Sequence, residues 1–146
     1  MDIYSIGFTK TTAEGFFTRL IDNRVQRVLD VRLNTKSQLA GFAKGRDLAY
    51  FLPVIADIAY EHEPLLCPSP DILEQYKRRG EMPWDDYETQ FMALMRERRV
   101  ADRLDPATFE PRTALLCSEA TPEHCHRRLV IEHLAEHWPD VRAIHL

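Results

Sequence analysis

Two short stretches hold most of the chemistry available to this chain: Cys117-Ser118-Glu119 and Thr121-Pro122-Glu123-His124-Cys125-His126-Arg127-Arg128. Thiolate, carboxylate and imidazole all suit zinc or iron, so Cys117, Glu119, Cys125 and His126 form a candidate metal set, although their spacing matches no common zinc module. Cys117 is equally a candidate nucleophile, because His126, Arg127 and a helix amino terminus each favour the thiolate. Two further stretches supply polar groups, Ser5-Ile6-Gly7 and Asp30-Val31-Arg32. Glu119 or Asp30 is a candidate general base or arginine-orienting group, and His126 a candidate acid or base. Arg32 and Arg127 are the candidate anion binders, with Ser5 and Gly7 beside them.

The surrounding residues predict the elements that position these groups. Asp2 to Gly7 reads as a strand, and a helix capped by Thr11 or Thr12 follows to about Asn23. Val28 to Val31 reads as a buried strand, with Asp30 and Arg32 on one face by alternation. A long polar loop runs from Arg32 to Gly45, then a helix from about Arg46 to Ala56 whose second half is interrupted by Pro53. A third strand is expected at Ile58 to His62, helices at Pro70 to Arg79 and Trp84 to Arg99, and a fourth strand at Thr113 to Cys117. Thr121-Pro122 predicts the start of a last helix ending near Trp138, before a strand over Val141 to Leu146. Alternating strands and helices predict a single α/β domain over residues 1–146. Its sheet is mostly parallel, with about five strands and helices on both faces in a Rossmann-like three-layer arrangement. Ligands of such sheets bind outside the carboxyl ends of the strands, where all of the residues above are expected to converge.

In the last helix, Val130, Ile131, Leu134 and Trp138 mark the apolar face, and helical phase points Arg127 along its centre and Arg128 away from it. A buried arginine requires a partner. Asp30 or Glu119 in a structural ion pair, and a bound anion at the helix amino terminus, both satisfy that requirement. Trp84, Tyr87, Phe91, Leu94 and Met95 fall at helical spacing and read as core packing.

Composition bounds the rest. The 146 residues carry a net charge of −4, with 45% hydrophobic and 29% charged residues, which fits a globular protein large enough to bury a core. No apolar run spans a bilayer and no secretory leader is visible, so the expectation is a cytoplasmic protein with no membrane partner. Three cysteines, Cys67, Cys117 and Cys125, exclude a disulfide framework by their odd number, and Cys67 reads as structural.

Asp30-Val31-Arg32 followed by a strand-terminal cysteine bears a partial likeness to rhodanese-like sulfurtransferases, but Glu123 stands where their anion-loop arginine would be. A fuller match exists. Ser5-Ile6-Gly7, Asp30-Val31-Arg32 and Leu115-Leu116-Cys117-Ser118-Glu119 with Cys125-His126-Arg127 resemble the DUF488 family, a domain of unknown function, in order and spacing over essentially the whole chain. Members commonly read Ser-Ile-Gly-His in the first motif, where this chain has Phe8. After Arg32 it has Asn34, Lys36, Ser37 and Phe42 in place of a proline-rich, arginine-containing segment. The resemblance implies an α/β domain with its motifs at one site, and no particular reaction.

The expected function is therefore an enzyme or ligand-binding domain whose Cys/Glu/His/Arg site takes a small anionic ligand such as a nucleotide or nucleic-acid component. A non-catalytic nucleic-acid-binding or adaptor module is the alternative from another class. It requires a basic surface, for which Lys36, Lys44, Arg46 and Arg78 are available against the acidic net charge. A zinc or iron metalloprotein or a thiol enzyme of rhodanese-like type is the third.

Overall fold

The computed structural model describes residues 1–36, 39–78 and 80–146. Ser37 and Gln38 of the predicted loop, and Arg79 at the predicted helix end, lie outside the described residues. Five strands, β1 (Asp2–Gly7), β2 (Arg27–Asp30), β3 (Ala59–His62), β4 (Thr113–Cys117) and β5 (Arg142–His145), form one sheet in the order β3-β2-β4-β1-β5. Every pairing is parallel. The fold is thus the α/β class read from the sequence. The sheet is wound so that β4, late in the chain, lies between β1 and β2.

Alternation along the strands divides the core in two. Tyr4, Ile6, Val28, Ala114 and Leu116 face α1 (Ala13–Asp22) and α2 (Gly45–Ala56), whose Phe16, Phe17, Leu20, Leu48 and Leu52 are buried against them. Ile3, Leu29, Val31, Leu115 and Cys117 face the other layer. That layer comprises a single α-turn, α3 (Pro70–Leu73), then α4 (Trp84–Glu97), the short α5 (Val100–Arg103) and α6 (His126–His137). Among the described residues no helix is long and apolar enough to cross a membrane.

The helix expected from about Arg46 to Ala56 is found, and three other boundaries differ from expectation, each for a local reason. Pro53 is accommodated within α2, which runs on to Ala56 and closes on Asp57 in the left-handed region. The helix predicted from Pro70 is α-helical only to Leu73, and Glu74–Arg78 continues as one wide π-turn. The helix predicted to end at Arg99 stops at Glu97, because Arg99 takes φ 54° and starts α5 in a new direction. The last helix begins at His126, four residues after Pro122, with Cys125 as its cap. Residues 118–124 instead form a turn-rich loop over the tips of β1 and β4.

That loop is seated on β1 at Gly7. Thr9 donates both its N–H and its hydroxyl to the Ser118 carbonyl, at 3.1 and 2.7 Å. A methyl group on Gly7 would lie 1.7 Å from the Glu119 carbonyl oxygen, so only glycine admits this approach. Gly7→Ala is expected to lower unfolding free energy by at least ~2 kcal/mol in urea titration, as overpacking against backbone does. Two histidines, the buried His133 and the exposed His145 at the end of β5, also couple the fold to pH. His133 and His145 are both held below the ordinary imidazole value, chiefly by burial, with His137 and Arg127 respectively adding repulsion. The unfolded chain therefore binds protons that the folded one refuses, and stability is expected to fall as pH drops from about 7 through the histidine range. Urea midpoints at pH 7.5 and 5.5 measure this.

Candidate functional site

Asp30 and Arg32, predicted to share a face, form a two-pronged ion pair. Arg32 Nε donates to Oδ1 at 2.9 Å and Nη2 to Oδ2 at 2.7 Å, while the Arg32 backbone N–H also reaches Oδ1. The Tyr60 hydroxyl donates to Oδ2 at 2.6 Å. Asp30 is fully buried, and these four donors occupy its carboxylate. Burial opposes the Arg32 charge, and the bonds to Asp30 more than offset it, holding the guanidinium above its ordinary value. Burial and the bond to Asp30 likewise push the Tyr60 hydroxyl up. Asp30 therefore positions Arg32 and has no lone pair left for a ligand. Arg32 is different, since its Nη1 is buried without a partner and the side chain lines a cavity.

That cavity has a volume of about 420 Å³ and lies over the carboxyl ends of β2 and β4. Its floor holds Cys117, Cys125 and His126, and its rim holds Lys77 and Glu119, joined as a half-exposed ion pair. One wall is aromatic. Trp84 stacks on His124 at 5.0 Å and on Tyr87 at 5.2 Å, and Tyr76 lies 4.6 Å from Tyr87.

The three floor residues form a compact cluster whose donor atoms all lie within 4.8 Å of one another. His126 Nε2 lies 2.7 Å from the Val31 carbonyl. A carbonyl only accepts, so Nε2 carries the proton, and Nδ1 faces Cys117 Sγ at 3.6 Å. Cys117 is displaced below the ordinary thiol value. The largest cause is the hydrogen bond from the Cys125 thiol, which outweighs burial and is supported by Ser118 and the Arg127 charge. Cys125, as donor in that bond and buried, is displaced well upward. Cys67 stands apart, donating to the Arg32 carbonyl at 3.3 Å, and burial pushes its thiol up to about 12. It is buried, and its sulfur also lies 3.4 Å from the Glu63 carbonyl.

Arg127 is fully buried, and among the described residues no carboxylate pairs with it. Asp30 is taken by Arg32, and the Glu119 side chain is taken by Lys77. Instead Nη1 donates to the Glu119 backbone carbonyl at 2.5 Å and to Cys125 Sγ at 3.5 Å, and Nε donates to Ser5 Oγ at 3.2 Å. The Ser5 hydroxyl also shares a hydrogen bond with His145 Nδ1 at 2.6 Å. Nη2 is buried without a partner. Ser5, Gly7 and Arg127 thus sit beneath the cavity floor and brace it, where the sequence assigned them to the ligand.

Structure and sequence converge on Cys117, Glu119, Cys125, His126 and Arg32 around one cavity. Lys77, Trp84, Tyr76, Tyr87 and His124 were not assigned to the site, because aromatic residues at helical spacing carry the same signal whether they fill a core or wall a cavity. Here Tyr87 does both. Helical phase set by Val130, Ile131, Leu134 and Trp138 predicts Cys125 opposite the apolar face. Because the helix starts at His126, Cys125 lies in the preceding turn and points inward, 2% exposed.

Arg127→Met is expected to leave the Ser5 hydroxyl and Glu119 carbonyl without their donor, costing about 2–4 kcal/mol in urea unfolding. It should also slow alkylation of Cys117 at pH 7 through loss of the neighbouring positive charge. A variant with wild-type stability and wild-type alkylation rate would refute the bracing role.

No curated protein and no solved structure matches the chain. A family model does, over residues 12–134, a span that takes in the Asp30/Arg32 pair, the Cys117 strand end and the Cys125-His126-Arg127 turn. The chain belongs to the family described as Domain of unknown function DUF488.

Proposed function

We propose that this chain is a thiol-centred enzyme acting on a small anionic compound with a planar part, a description that a nucleotide satisfies. The observation that carries the reading is Cys117. It lines a cavity that is partly open to solvent, with Cys125, Ser118 and Arg127 all favouring its thiolate, and with His126 Nδ1 at 3.6 Å. In this reading the Cys117 proton passes to His126 Nδ1 and Cys117 Sγ bonds to an electrophilic atom of the ligand. The bond to the leaving group breaks, the electron pair departs with it, and His126 delivers its proton from Nδ1. Attack by water or a second acceptor on the cysteine-bound group then frees the thiolate and returns the proton to His126. The unpartnered Arg32 Nη1 and the Lys77 ammonium hold the anionic part, and the Trp84, Tyr76 and Tyr87 wall holds the planar part. Glu119 sets the position of Lys77.

A specific observation favours a second reading. Cys117, Cys125 and His126 offer two sulfurs and a nitrogen within 4.8 Å, and the proton on His126 Nε2 is fixed by a backbone carbonyl, an arrangement typical of a metal-ligating histidine. Zinc or iron bound there would keep its fourth position open to the cavity. The nucleic-acid or adaptor alternative has less support. Arg46 pairs with Asp47, and the cavity is lined largely by apolar and aromatic residues, unlike a basic groove.

Iodoacetamide kinetics followed by peptide mass analysis tests the first reading, with Cys67 as an internal control. Cys117 is expected to react at least ~10 times faster than Cys67 at pH 7. Nucleoside monophosphates and inorganic phosphate are expected to raise Tm, and Lys77→Ala to diminish that rise. An inert Cys117 in protein containing stoichiometric zinc or iron would favour the metal reading, and an inert Cys117 in metal-free protein would refute both.

A further inference from the structure

The last turns of α6 carry a second set of ligating side chains, on the face of the helix away from the cavity. His133-Leu134-Ala135-Glu136-His137 puts two imidazoles one helical turn apart with a carboxylate between them, and their donor atoms all lie within 4.8 Å of one another. The rings of His133 and His137 are 4.6 Å apart. His133 is 1% exposed, and both of its ring nitrogens are buried without a hydrogen-bond partner. A buried imidazole with two unmet nitrogens is costly unless something binds it. The structure provides the space, a pocket of about 110 Å³ bounded by Arg96, Arg99, Asp102, His133 and His137.

The remaining geometry is that of a pre-aligned ligand set. His137 Nδ1 lies 2.9 Å from the His133 carbonyl, which only accepts, so Nδ1 carries the proton and Nε2 presents its lone pair. This is the outer bond that fixes the tautomer of metal-binding histidines. The two neighbouring cations already have partners: Arg96 lies 3.5 Å from Glu136 and Arg99 2.9 Å from Asp102. The pocket therefore has no excess positive charge to attract an anion, while its nitrogens are free to take a cation. We propose that His133, Glu136 and His137 bind one divalent first-row transition metal ion of the zinc type through two imidazoles and one carboxylate. The ion takes Glu136 from Arg96 and keeps a position open for water. The site is independent of the cysteine cluster and of the reading given to it.

The test uses Zn²⁺ and Co²⁺ as probes on the whole chain. To silence the other cluster, Zn²⁺ is titrated calorimetrically into a Cys117→Ser/Cys125→Ser variant. One Zn²⁺ per chain is expected, with affinity reduced at least ~tenfold by His137→Ala or Glu136→Gln, both exposed positions that leave the core intact. Arg96→Ala is expected to tighten binding by releasing Glu136. Should the double cysteine variant fail to fold, Co²⁺ added to the wild-type chain gives the same information. A visible band without sulfur-to-metal charge transfer, lost in His137→Ala, reports the histidine site. Absence of Zn²⁺ binding in the folded double variant, affinity unchanged by His137→Ala, or weaker binding in Arg96→Ala would each overturn the proposal.

Discussion

The Arg127 guanidinium is the group that the interior can least tolerate and that the candidate site can least do without. A fully buried cation is acceptable only when its charge and its donors are met. Here Nε and Nη1 donate to a hydroxyl, a backbone carbonyl and a sulfur, Nη2 is left without a partner, and among the described residues no carboxylate pairs with the charge. The Arg127 charge is among the causes that hold the Cys117 thiol below its ordinary value, alongside the bond from Cys125. The same cation explains why the loop after β4 runs as it does. Residues 118–124 turn back over the strand tips to bring the Glu119 carbonyl onto Arg127, and Gly7 clears the path for them. Backbone route, thiolate and buried arginine form one arrangement, and each is strained without the others.

The second ion pair follows the opposite logic. Asp30 and Arg32 neutralise one another completely, with Tyr60 and a backbone amide satisfying the remaining lone pairs. That leaves Arg32 a rigid donor whose one idle nitrogen faces the cavity. One side of the site is therefore a fixed cation in a fixed direction, while Lys77 and Glu119 on the other rim are half-exposed, with long side chains that can reorient. The aromatic wall joins them: Trp84 and Tyr87 anchor α4 to the core through the same faces that bound the cavity. Packing and recognition cannot be separated there by simple truncation.

Much of this was legible in the sequence because parallel sheets impose strict geometry. Alternation alone puts Asp30 beside Arg32, and strand ends alone bring Cys117 near the start of the last helix. Helical phase buried Arg127 correctly but could not name its partners, since the choice between side-chain carboxylate and backbone carbonyl depends on the path of a loop. Thr121-Pro122 has the form of a helix start, yet the chain makes a turn there and the helix begins at His126. The wall of the cavity was illegible for a different reason, in that burial against a core and burial against a cavity ask for the same residues at the same spacing.

The position of β4 has a consequence for how this sheet comes to exist. β1 and β2 are consecutive in the chain yet never touch, since the strand between them is formed by residues 113–117. Before that segment is made, β1 has no neighbour on either side and β2 has only β3. Sheet closure thus waits for a long-range insertion, the kind of step that slows folding and leaves strand edges exposed meanwhile. On a ribosome, the amino-terminal strand with its apolar Ile3, Tyr4 and Ile6 would emerge early and stand unpaired until the segment carrying Cys117 arrived. The same insertion that joins β1 to β2 sets Cys117 at the strand tips, so the thiol takes its place only when the centre of the sheet forms.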